Sequence, residues 1–548
     1  MRVRLARPEL PTEAILLLGA SWFASAGNSA FWRAAFDGRG LMEAASLRFA
    51  ALTFILLAAL HFAALGLFAT RRTVRPLLAL LIFASTLATH FMLRYGIVID
   101  PAMIRNALHT EAREAGELMN AAFAGAVLLG AALAALPWAV VPKPQTARRA
   151  VLVRAAAVSA ALVLAFAALI AGFQDLSSQM RNRRALRYTI APANVLYSLV
   201  RTLAGDARAS AAAATAPEPV ARAPARGRKP MLLVVVAGET ARSANFSLNG
   251  YGRQTNPELA KLDLINLPHA GACGTSTEVS LPCMFSPFGR ADYDEARIRR
   301  HESLPQLLSR AGLRVLWLDN QSGCKGVCEG VEFRDLSHER DPDLCAGGRC
   351  YDAILLRGLE HALAGSAATP DDTMVVLHQL GNHGPAYFRR YPPAMKRFSP
   401  ACESDELRDC TAAQIVNAYD NAILYTDRFL AGTIAFLERQ QDRYTVALVY
   451  ASDHGESLGE HGLYLHGMPY AIAPREQLEV PMFWWLPPQA VRGLDLDIAC
   501  VRRGAAVHAN HDSLYHSTLG LLDITTPGYR PARDLFHGCR TSQLAQAR

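Results

Sequence analysis

The first 272 residues contain no cysteine, whereas ten cysteines fall between Cys273 and Cys539. The front of the chain therefore cannot cross-link itself or bind metal through thiolate. No basic stretch is interleaved with aromatic residues, which argues against a nucleic-acid groove although the net formal charge is +8. Paired CxxC motifs are missing as well, which argues against a zinc ribbon. What the cysteines do form is closely spaced pairs, Cys273/Cys283, Cys324/Cys328, Cys345/Cys350 and Cys402/Cys410. That pattern suggests disulfides made in an oxidising compartment. At 548 residues the chain exceeds what one core supports, so at least two domains are expected.

Roughly the first 175 residues are crowded with Ala, Leu, Phe and Val. Five stretches, 14–31, 47–69, 76–97, 119–141 and 151–173, are each near the ~20 residues that a membrane-spanning helix needs. The first is the weakest, with Ser21, Ser25, Asn28 and Ser29 inside it; because further spans follow, it is read as a retained anchor and not a cleaved signal. Arg2, Arg4 and Arg7 precede the first span, Arg71, Arg72 and Arg75 join the second to the third, and Lys143, Arg148, Arg149 and Arg154 join the fourth to the fifth. With these segments cytoplasmic, an odd number of crossings puts everything after Phe173 outside the inner membrane, in the periplasm, where the cysteines belong. Over 176–203, Arg181, Arg183, Arg184 and Arg187 alternate with Met180, Leu186 and Tyr188, as in an amphipathic segment at the membrane surface, broken near Pro192. Residues 206–229 are Ala/Pro/Arg-rich and read as a flexible linker. The expected division is a five-helix transmembrane domain over 1–175, interfacial helices and linker over 176–229, and a periplasmic catalytic domain over 230–548.

In the last part, short apolar runs at 231–237, 313–319, 373–377, 445–451 and 480–485 alternate with helical patterns such as 304–311 and 412–437. This predicts an α/β domain with a largely parallel sheet, in which ligands gather at the carboxyl ends of the strands. Glu239-Thr240 ends the first run, His378 and then Asn382-His383-Gly384 follow the third, and Asp453-His454-Gly455-Glu456 ends the fourth. Such groups are costly to bury unless they bind something, and together they make a ligand set suited to zinc or another divalent ion. The candidate nucleophile lies in the hydroxyl-rich loop from Cys273 to Cys283. A metal-bound hydroxyl there would be activated, but composition alone does not rank Thr275, Thr277 and Ser280.

Several stretches, in order and spacing, carry a resemblance over nearly the whole chain: VVVAGETARSANFSLNGYGRQTNP, ACGTSTEVSLPCMFS, DNQSGCKGVC, HQLGNHGPAYFRRYP, NAYDNAILYTD and SDHGESLGEHGLYLHG. The sequence resembles the membrane phosphoethanolamine transferases, which include the lipid A-modifying and transferable colistin-resistance enzymes, within the alkaline phosphatase/sulfatase superfamily. The resemblance implies that Thr277 is the nucleophile and that Glu239, Thr277, Asp453 and His454 hold a zinc ion. His383 and His466 match positions that bind a second metal or assist substrate and leaving group. Ser322 and Lys325 match a polar pair near the bound head group. In NALHTEAREAGEL, Asn106, Thr110 and Glu114 fall on positions associated with the lipid donor. GNHGP stands where GSHGP is commoner, and GEHG adds His461. Cys500 and Cys539 make a further candidate disulfide.

The implied reaction moves phosphoethanolamine from phosphatidylethanolamine to lipid A through a threonine-bound intermediate, with a membrane-embedded monomer as the expected form. Core oligosaccharide and periplasmic glucan are alternative acceptors. A sulfatase would carry C/S-x-P-x-R, a spacing that Ser286-Pro287-Phe288-Gly289-Arg290 lacks. A glycerophosphate transferase would share the architecture, and the GETAR and CGTST context favours phosphoethanolamine. A membrane-anchored sensor with a dead site predicts lost ligands, and none is missing.

Overall fold

A computed structural model describes residues 7–37, 40, 43–110, 112–182, 184–211, 215–222, 229–364 and 371–541. The chain divides into two units, Met1–Arg105 with Leu118–Leu203, and Asn106–Glu117 with Ala204–Arg548.

In the first unit, five helical stretches are long and apolar enough to cross a membrane: Thr12–Phe36, Ala44–Phe68, Val74–Tyr95, Ala121–Ala139 and Ala147–Phe173. They coincide with the five expected spans. The polar residues of the first span mark a break, since its helix stops at Ala24 and resumes at Ser29 after a short 3-10 turn. Ser25 Oγ donates to the carbonyl of Ser21 at 2.7 Å, and Asn28 Nδ2 donates to those of Phe23 and Ala191 at 2.5 and 2.9 Å. The backbone groups released by the break are thus satisfied inside the protein, as an apolar solvent requires.

Arg2 and Arg4 lie outside the described residues, and the described flanks of the three arginine-bearing segments meet one another. Glu9–Leu10 pairs in parallel with Val141–Pro142, Arg71 Nε donates to the carbonyl of Pro142 at 3.1 Å, and Arg154 pairs with Glu13 at 3.0 Å. Arg154 sits on the helix that carries the fifth span, Ala147–Asn182, and not in the loop before it. A 3-10 stretch, Arg184–Thr189, and a helix, Ala193–Ala211, follow, so the break falls where Pro192 predicts it. The side chains of Met180, Arg181, Arg183 and Arg184 lie outside the described residues. Part of the expected flexible linker is ordered: that helix reaches residue 211, and Ala221–Arg222 pairs with Ile524–Thr525 in the second unit.

The second unit is built on a seven-stranded sheet of β1 (Met231–Gly238), β2 (Ile265–Gly271), β3 (Arg314–Asp319), β4 (Glu332–Asp335), β5 (Thr373–His378), β6 (Thr445–Ser452) and β7 (Glu479–Trp485), in the order β2-β7-β6-β1-β5-β3-β4. All neighbours are parallel except β7, which runs antiparallel to β6 and β2. The central strand β1, MLLVVVAG, is buried throughout, as expected of a parallel strand covered on both faces. Met231, Leu233, Val235 and Ala237 point into one core and Leu232, Val234 and Val236 into the other, following the two-residue period of a strand.

Helices α1 (Thr277–Met284), α2 (Leu304–Arg310) and α5 (Asp512–Leu521) pack into the first of these cores, and α3 (Ala353–Ala364) and α4 (Ala412–Glu438) into the second. Capping boxes start α2, from Ser303 and Gln306, and α4, from Thr411 and Gln414; each satisfies two otherwise orphaned amides. All ten cysteines are paired, in the four local disulfides and Cys500–Cys539. The parallel register aligns the carboxyl ends of β1, β5 and β6, with Ala237 opposite both His378 and Ala451.

Candidate metal and nucleophile site

Glu239 directly follows β1, and Asp453 and His454 directly follow β6; all three are fully buried. One ligand atom from each lies within 4.8 Å of the others. His454 Nδ1 donates to the carbonyl of Gly455 at 2.9 Å, which fixes the tautomer and turns Nε2 toward the carboxylates. Nε2 lies 3.4 Å from Glu239 Oε1 and 3.4 Å from Asp453 Oδ2. Asp453 Oδ1 accepts from the amides of Thr240 and His454 at 3.1 and 2.7 Å, while its buried Oδ2 makes no hydrogen bond.

Two carboxylates this close in a dry site need a positive charge between them. Burial and the Glu239 charge push Asp453 up to about 7, and the His454 imidazole, despite burial, is pushed up to about 10 by Asp453 and Glu239. Despite burial, Glu239 is held well below the usual carboxylate range by His454. The orphaned Oδ2, the pinned Nε2 and two carboxylates that draw in a proton fit a divalent cation.

Thr277 is the first residue of α1, and Ser276 is its N-cap. The threonine hydroxyl is therefore not spent on capping. It donates toward Glu239 Oε2 and Oε1 at 3.0 and 3.2 Å and lies 3.5 Å from His454 Nε2. Its two rivals are occupied elsewhere: Thr275 Oγ1 donates to the carbonyl of Met468 at 2.7 Å and Ser280 Oγ to that of Asp453 at 2.5 Å. Of the three hydroxyls, that of Thr277 is the one that faces the Glu239 carboxylate. Glu239 is held in place by Thr240 Oγ1 at 2.6 Å and Gln321 Nε2 at 3.0 Å. Gly381 has φ +56°, and a Cβ there would collide with the backbone oxygen of Glu239, so the loop after β5 approaches only because that residue is glycine.

The His466 ring centre lies 4.4 Å from that of His454 and 5.2 Å from that of His383. His466 Nδ1 donates to Glu456 Oε2 at 2.8 Å, and Tyr387 donates to the other oxygen of Glu456 at 2.7 Å. Burial, with the neighbouring His454, lowers the His466 pKa, which favours the neutral ring, and the Nδ1 bond to Glu456 leaves Nε2 as its acceptor nitrogen.

The sequence matches a family described as Sulfatase over residues 232–524 and one described as Phosphoethanolamine transferase EptA/EptB over residues 57–207. Phosphoethanolamine transferase EptA of Escherichia coli (strain K12) is 37% identical, covering 98% of this chain and 98% of that protein. The chain belongs to the phosphoethanolamine transferase family. The resemblance carried by the motifs is borne out. Another relative, phosphatidylethanolamine transferase Mcr-1 of Escherichia coli, is 37% identical over 83% of this chain and 84% of its own. Among solved structures, the integral membrane lipooligosaccharide phosphoethanolamine transferase A of Neisseria meningitidis superposes with a TM-score of 0.92 at 33% identity, covering 97% of this chain and 100% of that one.

In this family member the remaining expected residues are placed unevenly. Lys325 Nζ donates to Ser322 Oγ at 2.8 Å and to its carbonyl at 2.9 Å, so these two form a pair. Asn106 and Thr110 share one turn, the threonine hydroxyl donating to the asparagine carbonyl at 2.7 Å. The side chain of Glu114 lies outside the described residues. His461 is exposed. His378 is buried with Nδ1 2.6 Å from Asp319 Oδ1, a pair apart from the three-ligand cluster. Sequence reasoning missed Gln321, which orients Glu239, and Asp352, whose carboxylate accepts from the amides of Leu380 and Gly381 at 2.8 and 2.9 Å and so shapes the loop before His383. Asp352 does not follow an apolar run, and Gln321, two residues past β3, is an amide and not one of the ionisable groups sought at strand ends.

Proposed function

We propose that this enzyme transfers phosphoethanolamine from phosphatidylethanolamine to lipid A on the periplasmic side of the inner membrane, acting as a single chain with zinc held by Glu239, Thr277, Asp453 and His454. The observation that carries the reading is the Thr277 hydroxyl, aimed at both oxygens of Glu239 and within reach of His454 Nε2. Zinc bound there would lower the pKa of that hydroxyl and neutralise charge on the transferring group. The protein's residues do the rest. Thr277 Oγ1 attacks phosphorus, its proton passing toward Glu239, which already accepts it. The bond to diacylglycerol breaks, the leaving oxygen takes a proton from a protonated His383, and phosphoethanolamine stays on Thr277. A hydroxyl oxygen of a lipid A phosphate then gives its proton back to His383 as it attacks the same phosphorus, and Thr277 Oγ1 leaves and recovers its proton from Glu239. Neutral His466, oriented by Glu456, suits the proton transfers of this second half. The partial positive charge at the start of α1 favours the anionic group on Thr277. Ser322 and Lys325 are proposed to meet the head group and Asn106, Thr110 and Glu114 the donor lipid; a second zinc at His383 and His466 belongs to the same proposal.

The test is mass spectrometry of lipid A from a polymyxin-susceptible Gram-negative host expressing the chain or Thr277→Ala. A phosphoethanolamine increment and raised polymyxin tolerance are expected with the parent alone. No increment from stably expressed parent would remove lipid A as acceptor, leaving core oligosaccharide and glucan to be assayed.

A further inference from the structure

The segment between the third and fourth spans ends in a buried carboxylate, Glu117, whose side chain is 2% exposed. Its Oε1 lies 2.7 Å from Arg349 and its Oε2 2.5 Å from Arg390. The Arg390 side chain is itself fully buried, and its Nε donates to the backbone carbonyl of His383 at 2.6 Å. A second tie holds the other end of this segment: His109 Nδ1 lies 3.0 Å from Glu278 Oε1, on the residue that follows Thr277. The segment is therefore fastened at one end beside the nucleophile and at the other, through Arg390, to the loop that carries His383.

Resting on the functional reading above, we propose that Glu117 and Arg390 are positioning residues for His383: Glu117 fixes the guanidinium, and the guanidinium fixes the peptide from which the imidazole projects. A guanidinium that faces a carboxylate with one edge and a carbonyl with another has little freedom to rotate. Removing the carboxylate leaves a buried cation that relaxes toward other partners, and a small displacement of a group engaged in proton transfer lowers the rate more than binding. Neither residue touches Glu239, Asp453 or His454, so binding of the metal held there is expected to survive their replacement.

The experiment uses the full chain in detergent with phosphatidylethanolamine as donor, and follows formation of the phosphoethanolamine adduct on Thr277 by mass spectrometry, per zinc-loaded molecule. Glu117→Ala and Arg390→Lys are expected to slow adduct formation about tenfold or more with donor KM changed less than about twofold, and Glu117→Gln, which keeps an acceptor for Arg390, to recover part of the loss. Unchanged rates per zinc-loaded molecule, or losses explained wholly by lost zinc, overturn the proposal; if Glu117→Ala does not fold, the other two variants decide. A parent that forms no adduct overturns the functional reading instead, which keeps the two failures distinct.

Discussion

Each side chain at the centre of this protein is set by the polar atoms on its far side. His454 presents Nε2 because Gly455 takes Nδ1, and Glu239 faces Thr277 with Thr240 and Gln321 at its back. Behind them stands His511, whose Nδ1 accepts from the amide of Cys273 at 3.1 Å while Nε2 donates to the carbonyl of Ser452 at 2.8 Å. Both nitrogens are committed only in the neutral ring, and burial pushes its pKa down to about 4. The unfolded chain therefore takes up this proton first. The stability contribution is complete above the ordinary value of 6.5 and is lost as pH falls toward 4, up to about 3 kcal/mol over that window. Asp534, pushed up to about 6 by burial, works in the opposite direction, so the parent must be compared with a variant. Unfolding midpoints across this range should fall more steeply with acid in the parent than in His511→Gln; parallel curves would remove His511 as the cause.

At the scale of elements, the chemistry depends on how strand ends and one short helix are brought together. The loop with the proposed nucleophile is closed by Cys273–Cys283, ten residues apart, and its helix α1 has only eight residues, too short to hold its shape alone. Loop-closure entropy assigns such a cross-link about 3 kcal/mol. Cys273→Ser with Cys283→Ser should lower the unfolding midpoint and cut transfer more than metal content; equal activity would show that β1 and β6 alone fix the loop.

The buried strands β1, β3, β5, β6 and β7 were legible because each is a continuous apolar run. Edge strands β2 and β4 were not: the first contains Pro268 and His269, and EFRD in the second is exposed at every position. The candidate ligand cluster was legible because Glu239, Asp453 and His454 directly follow apolar runs. Choosing Thr277 over Thr275 and Ser280 without the family motif required knowing which carbonyls claim the other two hydroxyls. Arg390 and Asp352 act through backbone groups, and hydrogen bonds of that kind leave no periodic mark in a sequence.

Over the whole molecule, the sequence pattern separates a membrane part from a periplasmic part at one boundary, whereas the second unit also takes in Asn106–Glu117 from between two spans. Replacing 106–117 by a Gly/Ser segment of equal length should leave insertion and disulfide formation intact and reduce transfer to lipid A about a hundredfold, read from the phosphoethanolamine increment. Full transfer would reduce the segment to a connector.

Because that unit is discontinuous, its parts are also separated in time. At ~5–20 residues per second of synthesis, Glu117 reaches the periplasm on the order of tens of seconds before Arg349 and Arg390 exist. During that interval the nascent chain displays a carboxylate whose eventual partners are not yet made, and the unit is completed only when the later polypeptide arrives. Exchanging membrane parts between relatives therefore means exchanging a piece of the periplasmic unit too, and a recombination point after the last span would mismatch Glu117 with arginines that were never selected to receive it.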